Sequence, residues 1–249
     1  MRRFFVPLLD PAVREMALPA DVAHHLCTVL RCQVGYHFVL CDGCGGCAQA
    51  RLLSVAGKKA VAALDRFWQQ PETALPLTLY QALPAGDKFD LILQKNTELG
   101  VGVFAPLFSE RCQFSRFEKK FDKKVERWQR IVQEAARQSQ RSWLPTVLPP
   151  GSLQDVLAGC QAGLRLVLWE GACQPLDALL PRETPVSAAI LVGPEGGLSD
   201  ADVALAVGHG FQPVALGPRI LRTETAGFAL TSILQYRYGD LSHQIAAAD

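Results

Sequence analysis

No apolar run in the 249 residues approaches the length a helical membrane span requires, roughly 20 residues, so insertion by a helix is not expected. The amino terminus, MRRFFVPLLDPAVREM, has no signal-like apolar core, because Pro7 and Asp10 interrupt it first. A mature, cytoplasmic protein is the expectation. The chain also has no G-x-G-x-x-G opening a helix and no G-x-x-x-x-G-K-[ST], which disfavours a Rossmann dinucleotide site and a P-loop. Internal repeats and low-complexity segments are missing as well. Eight cysteines in a chain of 249 residues are too few for a disulfide-built scaffold, and reduced thiols are expected. Net charge is nearly absent, at +1, which taken alone argues against a nucleic-acid partner.

That average conceals a strong asymmetry. Residues 1–70 carry eight Lys and Arg against five acids, residues 111–141 carry ten against four, and residues 151–249 carry five against ten. Two basic segments therefore precede an acidic one, and local charge is what a phosphate backbone feels. The 49% hydrophobic and 20% charged composition is that of a folded soluble chain, long enough for two modest domains.

Short apolar stretches punctuated by Gly, Asp and Pro fill the first 70 residues: YHFVLCDG (Tyr36 to Gly43), ARLLSV (Ala50 to Val55) and KAVAAL (Lys59 to Leu64). This spacing predicts a small β-barrel or sandwich, with a hairpin turning at Asp42-Gly43 and Gly45-Gly46 and one short helix over Ala20 to Leu30. WQQPETALP (Trp68 to Pro76) is polar, aperiodic and proline-bearing. It sets the expected division: a β domain over 1–70, a linker over 71–76 and an α/β domain over 77–249.

Beyond the linker, strands are predicted at Leu77 to Leu83, Val103 to Ser109, Leu164 to Glu170, Ala188 to Gly193 and Val214 to Gly217. Helices are predicted over Asp87 to Gly100 and Glu118 to Arg141. Apolar, β-branched strands alternating with helices imply a largely parallel sheet covered on both faces.

Ligands of open α/β sheets bind beyond the carboxyl ends of strands, and two such ends here are rich in Gly and Pro: GPEGG (Gly193 to Gly197) and LGPRI (Leu216 to Ile220). Each is open to reading as a bare strand-to-helix turn. Together they can clamp a nucleoside through backbone groups.

GPEGGLSD (Gly193 to Asp200) and LGPRILRTETA (Leu216 to Ala226) closely resemble the cofactor loops of the bacterial 16S ribosomal RNA N3-uridine methyltransferases, a SPOUT family. RRFFV (Arg2 to Val6), HHLCTVLRCQVG (His24 to Gly35), QKNTELGV (Gln94 to Val101), ERCQFS (Glu110 to Ser115) and EAARQSQR (Glu134 to Arg141) extend the resemblance along the whole chain. The family usually carries an aromatic residue where this chain has Leu198. The resemblance implies a carboxy-terminal α/β domain with a deep trefoil knot and a mostly parallel sheet, preceded by a small PUA-like β-barrel that holds RNA. It further implies S-adenosylmethionine as methyl donor, a uridine of 16S ribosomal RNA in the small ribosomal subunit as substrate, and a homodimer whose active site is completed across the interface. Carried over position by position, Leu191, Gly193, Gly197, Leu216, Gly217, Ile220, Leu221 and Arg222 line the donor pocket.

Methylating N3 of a neutral uridine requires loss of its proton, so a base and an anion-stabilising group are sought. Arg222 and Glu224 are the candidates. Arg222 also has the reading of a surface ion pair, and Glu224 that of an acidic residue in the first turn of a helix. Arg130, Glu134, Arg137 and Arg141 fall on one face of the long helix, with Trp128, Val132 and Ala135 on another. That stripe either tracks phosphate or is merely solvated. With the resemblance added, Arg137, Gln138 and Arg141, together with Arg2, Arg3, His25 and Arg31, are the candidate RNA contacts. Glu98 orders the site or is simply a helix-surface residue. Cys41, Cys44 and Cys47 have C-x-x-C-x-x-C spacing that could in principle hold zinc, but no metal is expected, because Cys41 and Cys47 can occupy the two strands of one hairpin. Other readings stay open: a methyltransferase for transfer RNA or a ribose hydroxyl, or a catalytically silent RNA-binding assembly factor.

Overall fold

The computed structural model describes residues 1–57, 59–113, 121–172 and 174–242. Its internal contacts group into two compact units, Met1–Glu72 with Gln133–Leu144, and Thr73–Val132 with Pro145–Asp249. The boundary at Glu72 falls inside the proline-bearing stretch. Residues 133–144 group with the first unit, which a linear division of the chain does not anticipate.

In the first unit, alternating apolar residues build a five-stranded sheet in the order β1 (Arg3–Phe5), β3 (His37–Cys41), β4 (Gly46–Ala56), β5 (Lys59–Gln69) and β2 (Glu15–Ala17). The β1–β3 ladder is parallel and the others antiparallel, and register shifts at Ala48/Ala50 and Leu52/Ser54 bend β4. Phe38, Leu40, Ala50, Leu52, Ala62 and Leu64 point into one core with Val22, Ala23 and Leu26. These last three lie on α1 (Ala20–His24) and the wide helical turn His25–Val29 that continues it. The helix predicted over Ala20 to Leu30 is thus present, with its second half wound as a π-turn. The hairpin turn also forms as expected: Gly43 and Gly45 have φ of +79° and +92°, and the Asp42 carboxylate accepts from the N–H groups of Cys44 and Gly46 at 2.7 and 2.9 Å. Cys41 and Cys47 face each other across its base, Sγ to Sγ 3.3 Å, both buried, whereas Cys44 is exposed.

The second unit is a seven-stranded sheet in the order β12 (Gln212–Val214), β10 (Leu164–Leu168), β11 (Ala188–Val192), β6 (Leu77–Ala82), β7 (Val103–Phe108) and β8 (Thr146–Val147), with β9 (Gly151–Ser152) also on β7. Every one of its ladders is parallel. Burial on both faces explains why these strands read as unbroken apolar runs, such as Ala188–Val192, in which no residue is exposed. On one face Tyr80, Ala82, Leu107, Val167 and Leu191 pack with Leu153 and Leu157 of α4 (Leu153–Ala158) and Val203 and Ala206 of α6 (Asp200–Gly208). Elsewhere α2 (Lys88–Glu98) packs on α7 (Thr223–Tyr238), and α7 on β11. Two buried polar residues bind α2 to α7, Thr231 donating to Asn96 Oδ1 at 2.9 Å. A short helix, α5 (Leu176–Leu179), follows β10.

The long helix predicted over Glu118 to Arg141 is observed as α3 (Phe121–Gln138); its expected first residues lie outside the described residues, as does part of ERCQFS. It ends before Arg141 because Gln140 adopts φ +61° and Arg141 N–H bonds back to Ala136. Among the described residues no helix is long and apolar enough to cross a membrane.

Candidate active site

The loops after β10, β11 and β12 converge beyond the carboxyl ends of these strands and line a cavity of about 910 Å³. That is the upper range of small-molecule sites. The GPEGG loop takes its shape from backbone packing. A side chain at Gly193 would put its Cβ 3.0 Å from the Gly197 and Leu198 backbones, and Gly197 has φ +70°. Leu198 is buried and packs into the sheet core.

Four sets of bonds hold the loop from outside. Arg111 donates to Gly196 O at 2.9 Å. Glu195 accepts from Lys88 Nζ at 2.6 Å and from the N–H of Ala85 at 3.0 Å. Burial alone would push the Glu195 carboxyl up, but these donors outweigh it and hold the group below its usual range. Ser199 and Asp202 then cap α6 reciprocally, at 3.1 Å in both directions. Finally Thr223 Oγ1 donates to Gly193 O at 2.6 Å, and Gln81 Nε2 donates to Thr223 Oγ1 at 3.0 Å and to Gly193 O at 3.3 Å. Gln81 and Thr223 are buried, so this knot of bonds ties the β11 loop to the β12 loop at the end of β6.

Seven of the eight expected donor contacts line the cavity: Gly193, Gly197, Leu216, Gly217, Ile220, Leu221 and Arg222. Leu191 does not. Side chains alternate along β11, so Leu191 enters the core beside α4 and α6, and its neighbour Val192 takes the lining position. The segment Leu216–Gly217 is loop rather than the end of the predicted strand, which stops at Val214. Ile220 is 85% exposed, a large apolar side chain at the rim without cover from its own chain.

Arg222 and Glu224 both line the cavity. Arg222 occupies the N-cap position of α7 but does not cap it with its side chain, and Glu224 lies in the first turn. Neither forms an ion pair with a described residue. The lining also includes Glu170 and Arg219, which the sequence reading did not single out. The clue for Glu170 was a charge closing the apolar run LRLVLW, where a strand meets the ligand end of the sheet. Gln81 had no such signal, since its role rests on partners 112 and 142 residues away.

The first unit sorts the basic candidates differently. Arg137 Nη1 lies 2.9 Å from His25 Nε2, and its guanidinium stands over the Phe4 ring at 5.6 Å and bonds Glu134. Arg3 donates to Gln70 Oε1 at 2.7 Å. Arg141, only 11% exposed, pairs with Glu72 at 2.9 Å. It therefore fastens residues 133–144 to this unit and does not extend a helical stripe. Arg2, Arg31 and Gln138 are exposed, and Arg31 sits at φ +53° just past the helical turn. In the second unit Glu98 pairs with Lys95 at 2.9 Å. No cluster of three His, Cys, Asp or Glu suited to a metal occurs among the described residues.

A parallel sheet with a nucleoside-sized cavity at its carboxyl ends, joined to a small β-rich unit, defines a class: residues 71–235 match the family described as RNA methyltransferase domain, and residues 18–64 that described as RNA methyltransferase PUA domain. The ribosomal RNA small subunit methyltransferase E of Bacillus subtilis is 34% identical over 249 residues, covering 95% of this chain and 97% of the relative. Its namesake from Synechocystis is 42% identical over 207 residues, 82% of this chain and 67% of that protein. The crystal structure of the Neisseria gonorrhoeae enzyme of the same name, bound to S-adenosyl methionine, superposes with a TM-score of 0.89 at 34% identity over 97% of this chain and 99% of that one. The chain belongs to the ribosomal RNA small subunit methyltransferase E family, and its fold is that of SPOUT methyltransferases with an amino-terminal PUA-like domain.

Proposed function

We propose that this protein methylates N3 of one uridine in 16S ribosomal RNA, with S-adenosylmethionine as donor, working as a homodimer on the small ribosomal subunit. The trefoil knot implied by the resemblance belongs to the same reading. The observation that carries it is the cavity between GPEGG and LGPRILRTETA, to which Arg222 and Glu224, two charges of opposite sign without an ion pair among the described residues, contribute.

The residues present fit such a donor. The lining combines apolar walls from Val192, Leu216 and Leu221 with the backbone of four glycines and two prolines. Glu170, without an ion pair among the described residues, offers a carboxylate suited to hydroxyl or ammonium donors. When bound, the sulfonium group supplies an electrophilic methyl. The chain supplies everything else. Glu224 accepts the N3 proton of the uracil, and Arg222 stabilises the resulting charge on a uracil oxygen. Backbone contacts from Gly193 to Gly197 and from Leu216 to Leu221 fix the donor so that alignment contributes most of the acceleration. Titration calorimetry of the purified protein with S-adenosylmethionine tests the reading cheaply: saturable binding is expected, and no binding would refute it.

A further inference from the structure

We propose that His25 and Arg137 form a proton-linked site for a backbone phosphate of RNA, closed on itself in the free protein and opened by protonation of the imidazole. The inference rests on the reading that this unit holds RNA, and adds to it which groups meet phosphate and how pH governs them. A guanidinium has only donors, so a 2.9 Å contact between Arg137 Nη1 and His25 Nε2 requires a lone pair on Nε2. His25 is therefore the neutral tautomer with its proton on Nδ1.

Every element packed around the imidazole bears on this. Burial first, then Arg137, pushes its pKa below the ordinary 6.5; Arg2 and His24 add to the effect, and Glu134 alone opposes it. Phe4 meets the ring edge-on at 5.7 Å and also underlies the Arg137 guanidinium, so ring and guanidinium are held in fixed relation. A histidine needed only for packing has no use for two arginine neighbours. An anion does. A phosphate oxygen set between the two groups accepts one hydrogen bond from the Arg137 guanidinium and a second from Nε2–H, once His25 has taken one proton from solvent. The like-charge repulsion that keeps His25 neutral becomes joint attraction for the anion, and exposed Arg2 adds a third positive charge. By linkage, a ligand that raises the pKa of His25 binds more tightly as pH falls through that pKa.

Two measurements test this. Histidine-resolved NMR of the free protein at pH 7.5 is expected to show His25 protonated on Nδ1 and bare on Nε2, with its titration below 6.5. Filter binding of a radiolabelled 16S RNA transcript at constant ionic strength is expected to strengthen severalfold from pH 8 to pH 5.5, about tenfold being the limit that a one-unit rise in the pKa of His25 sets. His25→Gln offers Arg137 an acceptor that does not titrate, and its RNA affinity is expected to lose that dependence while remaining measurable. A proton on Nε2 in the free protein, or equal pH dependence in the variant and the parent, overturns the proposal. Failure of the parent protein to bind the transcript at any pH removes the RNA-holding role of this unit along with it.

Discussion

Arg222 stands between the LGPRI loop and a helix that begins with Thr223, and its guanidinium, without an ion pair among the described residues, is left to the cavity. Arg222→Ala is expected to lower methyl transfer at least a hundredfold while the melting temperature stays within a degree or two, checked by single-turnover assay and calorimetry. Glu224 separates two roles cleanly. If it takes the N3 proton, Glu224→Gln lowers turnover by about two to four powers of ten, and the loss shrinks as pH rises and uridine ionises by itself. A helix-end role alone would instead cost about 0.3–1 kcal/mol of stability and leave turnover intact. Glu195 gives a pH dependence of the opposite sense to His25. Its folded pKa lies below 4.5, so its bonds to Lys88 and Ala85 contribute fully above that value and are lost as acid protonates it. Donor affinity measured from pH 7 downward is therefore expected to hold until about pH 4.5 and fall below it. The glycine loops, Arg222 and Glu224 were legible because glycines and charges stand out where apolar strands end, whereas Glu170 and Arg219 were not singled out. Leu191 lies in the core and outside the cavity lining, because a resemblance in sequence does not say which face of a strand a residue takes.

The elements that hold the site are strand ends and helix starts fastened by buried polar groups. Thr223 and Gln81 join the ends of β6 and β11 to the start of α7. Thr223→Val keeps the shape and removes the hydroxyl, leaving Gly193 O without its 2.6 Å donor. A loss of about 1–3 kcal/mol of stability, together with roughly tenfold weaker donor binding, is expected by thermal unfolding and calorimetry. Most of these elements could be read directly. Apolar runs such as LTLYQA and AAILV announce a sheet buried on both faces, and Gly100, at φ +95°, follows the end of α2, where the predicted helix over Asp87 to Gly100 stops. The two-residue strands β8 and β9 carry no pattern of their own, because β7 defines them by pairing. The stop of α3 before Arg141 was equally hidden, since Gln140 takes a left-handed conformation usually given to glycine.

At the level of the whole molecule, the change in composition near Glu72 announced two units, and the parallel sheet followed from the kind of strand beyond it. Invisible from the sequence was the return of residues 133–144 to the first unit, because it depends on Arg141 meeting Glu72, 69 residues away. The proposed homodimer is expected to sediment at twice the mass of 27.1 kDa, and a monomer at micromolar concentration would remove it. The central claim is the reaction itself, and nucleoside mass spectrometry of 16S ribosomal RNA from a strain deleted for this gene tests it most directly. One N3-methyluridine is expected to vanish, to return with the parent gene and not with Arg222→Ala; unchanged N3-methyluridine in the deletion strain would contradict the assignment.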